Sequence, residues 1–198
     1  MRLLVVGGSG FLGAGLVRQG AAAGHEVTAT CHTRPGEAAG VAWAPLDVRR
    51  RADVEALVAA VRPAAVVNAA FRQRDWATTA TGAAHVALAA GTTQGVLFTD
   101  DVRCPVHVAD LAAALLELAA AGPPGVRHVA GADAVSRYEL GLLVARRDGL
   151  DPDLLPAGRR ADSGVPGPLD VRLDCAATQR LLRTRLRGAR RFLDPGRP

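Results

Sequence analysis

Arg2-Leu3-Leu4-Val5-Val6-Gly7-Gly8-Ser9-Gly10-Phe11-Leu12-Gly13 is the stretch on which the fold turns. Arg2 to Val6 is a short apolar run, of the kind that forms a parallel strand covered on both faces. Gly7 to Gly13 is a glycine-rich turn, and Ala14 to Ala23 is small and helix-compatible. A glycine fingerprint carries weight when it follows a strand and opens a helix, and this one does both. Its spacing is Gly-x-x-Gly-x-x-Gly. Gly7 permits the tight turn out of the strand. Gly10 lets a pyrophosphate approach the backbone beside Ser9, and Gly13 lets the helix pack close to the sheet. The amides of Phe11 and Leu12 then face the phosphates at the helix N-terminus. The plain alternative is a structural glycine turn with no ligand.

Moving outward, Glu26 to Cys31 reads as a second strand and Val41 to Ala44 as a third, closed by Pro45. Ala52 to Val61 has helical apolar spacing, with Asp53 and Glu55 in the first turn, where the helix dipole favours acids. Pro63 ends that helix, and Ala65 to Val67 is a fourth strand. This alternation predicts an α/β, Rossmann-type, doubly wound parallel sheet. A site selective for NAD usually carries an acid about 20 residues beyond the glycines, on the ribose hydroxyls. Here the stretch is Thr30-Cys31-His32-Thr33-Arg34, without an acid. Arg34 could instead pair with a 2′-phosphate, so the expectation leans to NADP(H), with NAD second. The bland alternative is a solvated Arg34. Asp47-Val48 after the third strand could receive the adenine amine, and Asn68-Ala69-Ala70 after the fourth could lie along the ribose. Both sit at carboxyl ends of strands, where open α/β sheets bind ligands.

The second half reads as helix over Thr81–Ala90, strand over Gly95–Phe98, and helix over Val108–Ala121. Gly125 to Val129 reads as a strand. Ser136 with Glu139 three residues on forms a capping box, and Asp174 caps a helix over Cys175–Leu182. The expected organisation is a dinucleotide-binding half at 1–90, a small C-terminal α/β substrate-binding part at 91–193, and a frayed tail at 194–198.

Composition narrows the function classes. Of 198 residues, 49% are apolar and 22% charged, the values of an ordinary globular chain. No apolar run approaches a membrane span and no export leader is visible, so the reading is cytoplasmic, without a membrane partner. The three cysteines, Cys31, Cys104 and Cys175, and the five histidines show neither disulfide nor metal spacing, and no metal is expected. The net charge is +5, and all 24 basic residues are arginine, so the chain has no lysine. The arginines from Arg180 to Arg191 have no interleaved aromatics, so they read as a solvated face and nucleic acid is not the expected partner. Trp43 and Trp76 read as packing residues.

The motifs together resemble the extended short-chain dehydrogenases, most closely their dTDP-4-dehydrorhamnose reductase-like, sugar-nucleotide-binding branch. The residues that carry the likeness are Gly7 to Gly13, Leu46-Asp47-Val48, and Arg62-Pro63 leading into Val66-Val67-Asn68-Ala69-Ala70. A second block runs from Val102 to Ala112, then Gly125 to Gly131, then Val171-Arg172-Leu173-Asp174. The resemblance implies an NADPH-dependent reductase of a nucleotide-linked 4-keto sugar, with Arg172 near the sugar-nucleotide cleft; a surface salt bridge is the equal alternative for Arg172. It also implies a central segment that this chain lacks. That segment carries a Tyr-x-x-x-Lys dyad whose Tyr protonates the carbonyl oxygen. The only tyrosine here is Tyr138, followed four residues later by Leu142. No catalytic residue is therefore assigned, and little reductase activity is expected. Three readings stay open: an impaired reductase-like protein, a non-catalytic NADP(H)-responsive binding or sensor protein, and a defective fragment that folds poorly. The shortened sheet also leaves the fourth strand with an unpaired edge, a route to a homo-oligomer.

Overall fold

A computed structural model describes residues 1–48, 50–70, 96–121, 124–164 and 167–194. The helix expected at Thr81–Ala90, and Trp76, lie outside the described residues. Two compact units are distinguished. One comprises Met1–Arg72, Val108–Val126 and Gln179–Arg185; the other comprises Gln73–His107, Arg127–Thr178 and Leu186–Pro198.

The first unit is built on strand β1 (Arg2–Val6), helix α1 (Phe11–Ala22), β2 (Glu26–Cys31), β3 (Ala42–Pro45), helix α2 (Arg51–Val61), β4 (Ala65–Asn68) and helix α3 (Val108–Ala121). The strands form one parallel sheet in the order β3-β2-β1-β4. Alternation along β1 sends Leu3 and Val5 to one face and Leu4 and Val6 to the other, because strand side chains point to opposite faces in turn. Leu3 and Val5 pack with Leu16 and Val17 of α1 and with Ala112 and Leu116 of α3. Leu4 and Val6 pack with Leu46 and with Val54, Leu57 and Val61 of α2. Helices on both faces make the sheet doubly wound, and they explain why β1 has no polar residue beyond Arg2. Among the described residues β4 pairs only with β1, and Val66 on it is half exposed.

At the end of the first unit Glu117 of α3 anchors a distant turn. Its carboxylate accepts hydrogen bonds from the Arg183 amide at 2.7 Å, the Thr184 amide at 3.0 Å and Thr184 Oγ1 at 2.6 Å. Burial, the largest single influence, acts to raise the Glu117 carboxyl, but these hydrogen bonds and the Arg183 charge together hold it below the usual carboxylate range. A depressed folded value contributes stability above the unfolded carboxylate value and loses it as pH falls through the folded one. Hydrogen exchange should therefore show the Thr184 amide protected at neutral pH and released in acid. In Glu117→Gln the protection should be weaker at neutral pH and no longer depend on acid. Unchanged protection in the variant would show that the turn holds without the carboxylate.

The second unit contains β5 (Leu97–Phe98), β6 (Val102–Arg103), β7 (Val135–Ser136), α4 (Arg137–Asp148), β8 (Ala157–Gly158), α5 (Ala176–Gln179) up to Thr178, and α6 (Ala189–Phe192). β5 pairs in parallel with β8, and β6 pairs antiparallel with β7. The capping box forms as read. The Glu139 amide donates to Ser136 Oγ at 3.0 Å, and the Ser136 amide donates to Glu139 Oε2 at 2.8 Å. One face of α4 buries Leu140 and Val144 against Val135, Ala189 and Leu193.

The polar centre of this unit is Asp101, whose side chain is 2% exposed. Arg103 Nη1 reaches its Oδ1 at 2.6 Å, Arg137 Nε its Oδ2 at 2.6 Å, and Arg160 Nη1 the same oxygen at 3.5 Å. Arg103 and Arg160 also donate to the Pro168 carbonyl, so one acid ties three separated segments together.

Two sequence expectations differ from the fold. Gly125–Val129 forms no strand: Gly125 sits at φ +120°, and Val126 is 86% exposed. The helix expected over Cys175–Leu182 spans only Ala176–Gln179, with Asp174 Oδ1 accepting from the Ala176 amide at 2.8 Å. The Gln179 side chain turns to the Thr184 carbonyl at 2.9 Å, where the chain has already left the helix.

Candidate dinucleotide site

The site begins where β1 ends. Gly7 sits at φ +80°, and a Cβ there would lie 2.6 Å from the Ala70 backbone. Only glycine satisfies both constraints. The Gly7 amide donates to Thr30 Oγ1 at 2.9 Å, which fastens the turn to the end of β2. The Gly10 amide then donates to the Gly7 carbonyl at 3.0 Å and closes the turn. A Cβ on Gly13 would run into that same carbonyl, so α1 lies against the turn without a side chain between them.

Gly10 is the N-cap of α1, and no side chain caps the helix. The first-turn amides of a 12-residue helix are thus left without the usual side-chain acceptor, and an N-terminus in that condition favours an anion. A cavity of about 440 Å³ opens at the carboxyl ends of all four strands. Gly7, Ser9 and Gly10 line it from the turn, Thr30, Cys31 and His32 from β2 and its exit, Leu46, Asp47 and Val48 from beyond β3, and Ala69 and Ala70 from beyond β4. A crevice outside the carboxyl ends of a parallel sheet is where open α/β folds take their ligands. The glycine cradle, the uncapped helix end and the small residues Ala69 and Ala70 fit a dinucleotide. Among the described residues no group of His, Cys, Asp and Glu could hold a metal ion, and no helix is long and apolar enough to cross a membrane.

Of the residues read from the sequence, Gly7, Ser9, Gly10, Asp47, Val48, Ala69 and Ala70 line this cavity together. Phe11, Leu12 and Gly13 stand just behind it at the start of α1, with the Phe11 ring 84% exposed. Asn68 turns to its own backbone, its Oδ1 accepting from the Ala70 amide at 3.0 Å. Arg172 belongs to the second unit and forms an exposed pair with Asp170, at 2.9 and 3.0 Å. Thr30, Cys31, His32 and Leu46 were missed as lining residues. The available signal was their position, since each stands at or beyond the carboxyl end of a strand.

Comparison with known proteins places these features. Residues 3–99 match the model of the NAD dependent epimerase/dehydratase family. A search of the curated proteins finds no match. Among solved structures, a hypothetical dTDP-4-dehydrorhamnose reductase from Sulfolobus tokodaii matches with a TM-score of 0.77 at 19% identity, covering 94% of this chain and 97% of that one. The UDP-glucose 4-epimerase of Thermus thermophilus in complex with NAD matches at 0.72 and 15%, covering 91% and 92%. The dTDP-glucose 4,6-dehydratase of Bacillus anthracis str. Ames in complex with NAD matches at 0.68 and 10%, covering 96% and 94%. At these identities the likeness is one of fold, and the fold is the Rossmann type.

The NADP(H) expectation is overturned. The dinucleotide in the Thermus and Bacillus complexes is NAD, as it is in two matched enzymes of Bordetella bronchiseptica. The local geometry gives the physical reason. Arg34, expected to meet a 2′-phosphate, is exposed and is not among the residues lining the cavity. Asp47 does line it, and its carboxylate disfavours a further anionic group in that cavity.

Proposed function

We propose that this chain binds NAD(H) across the carboxyl edge of its sheet, and that it is a nucleotide-sugar-handling protein with impaired reductase chemistry. The observation that carries the reading is the cavity shared by the glycine turn, Asp47-Val48 and Ala69-Ala70. The family match over residues 3–99 supports it, since that span holds every cavity residue. The bound dinucleotide would supply or accept hydride. The chain's own part would be to seat the pyrophosphate against Gly10 and the α1 N-terminus, and to hold the adenosine end between the β2 and β3 exits.

The impairment rests on residue types. Reduction of a ketone needs a proton donor at the developing alkoxide, and a tyrosine unaided by a cation is a weak acid near neutral pH. The chain has one tyrosine and no lysine. Tyr138 packs beside the cluster of Leu97, Ala145 and Leu155 within α4, in keeping with a packing role. The same deficit favours a second reading, a non-catalytic NAD(H)-responsive binding protein that uses the cradle as a sensor.

Calorimetric titration with NADH and NADPH, followed by an absorbance assay with a dTDP-4-keto sugar, tests both. NADH should bind and NADPH should bind more weakly. Turnover should stay near background, because general acid help of about 10²- to 10⁴-fold is missing. Absence of NADH binding would refute the site. Robust turnover would refute the impairment, and Tyr138→Phe would then show whether Tyr138 is the donor.

A further inference from the structure

We infer that His32, paired with Asp47, takes the place of the missing acid at the end of β2 and recognises the adenosine 2′-hydroxyl of the dinucleotide. The inference rests on the proposed NAD(H) site and concerns its selectivity. No acid occurs between Glu26, which opens β2, and Glu37. The usual acceptor for the ribose hydroxyls is therefore absent from its usual strand. Thr30 Oγ1 already receives the Gly7 amide at 2.9 Å, and Cys31 is buried. Arg34 does not line the cavity. Ser9 sits on the glycine turn, at the pyrophosphate end. That leaves His32 and Asp47 as the polar side chains at the adenosine end.

Their separation suits a bridged contact. His32 Nε2 and Asp47 Oδ2 are 4.0 Å apart, with the imidazole 65% exposed and the carboxylate 24% exposed. That distance is too long for a direct hydrogen bond. A single hydroxyl can bridge it, accepting from His32 Nε2–H and donating to the carboxylate, since a hydroxyl offers one donor and two acceptor sites. A 2′-phosphate has no proton for the carboxylate at neutral pH and brings a like charge to it. The pair therefore selects a hydroxyl over a phosphate, and the β3 exit supplies the acid that β2 lacks.

The test uses ADP, 2′-deoxy-ADP and NADH with the full chain, read by calorimetry. The wild type should bind ADP about tenfold more tightly than 2′-deoxy-ADP. His32→Ala should bring that ratio close to one and lose about tenfold in NADH affinity. His32→Gln keeps an N–H donor and should restore part of both. Because His32 is exposed, melting temperatures should stay unchanged, which separates lost recognition from lost fold. A wild type that binds NADH but does not discriminate between the two ADP ligands overturns the inference and leaves the site standing. Discrimination that persists in His32→Ala does the same. A wild type that binds neither NADH nor ADP overturns both this inference and the site itself.

Discussion

Gly10→Val should abolish NADH binding, with a loss of at least about 100-fold, while the chain still folds. Gly10 lies at φ −78° and ψ 171°, an extended conformation that valine adopts without strain. A Cβ there meets only the Gly7 carbonyl, at 3.3 Å, and the residue is exposed at the cavity wall. The new methyl groups therefore enter the space in front of the uncapped α1 N-terminus, where the pyrophosphate is expected. The contrast is with Gly13→Ala, whose Cβ would collide with the Gly7 carbonyl and push α1 away from the turn. That variant should lose stability as well as affinity. Calorimetry beside a thermal melt distinguishes the two. A Gly10→Val protein that binds NADH like the wild type would place the pyrophosphate elsewhere.

Asp101→Asn should destabilise the protein by about 3 kcal/mol, the low end of what breaking a buried ion pair costs. The low end applies because Arg103 and Arg137 are each about a third exposed, and water screens part of the charge left behind. Arg160, with a side chain only 9% exposed, has no such relief. Asparagine nearly conserves shape but turns one acceptor oxygen into an amide donor, which then faces a guanidinium. Single replacement of Arg103 by Ala should cost less, since Asp101 keeps two other cations. Urea denaturation measures each difference. An Asp101→Asn midpoint equal to wild type would mean that the Asp101 charge is not what holds the three arginines in place.

Much of the first unit was legible in order along the chain. β2 spans Glu26–Cys31 and α3 spans Val108–Ala121, both as read. Their signals are local: a short stretch rich in β-branched residues after Gly24 for β2, and a helical apolar spacing ended before Gly122 for α3. The Ser136–Glu139 box was legible for the same reason, since both partners lie within one helical turn. Gly125–Val129 was misread because its two valines, three positions apart, give no alternating apolar face, and Gly125 turns the chain at φ +120°.

The same division holds at the site. Contiguous residues determined the strand–turn–helix: Gly7 for its positive φ, Gly10 and Gly13 for the room their missing side chains leave. Strand order alone decided which side chains meet there. Parallel pairing of β2 with both β1 and β3 brings the Thr30 hydroxyl to the Gly7 amide and His32 to within 4.0 Å of Asp47. It also leaves Arg34, two residues further on, out of the cavity lining, and with it the case for a 2′-phosphate. Asp101 shows the rule most plainly, since its partner Arg137 lies 36 positions away. A carboxylate's charge is written in the sequence, but the cations that neutralise it are chosen by where distant segments pack.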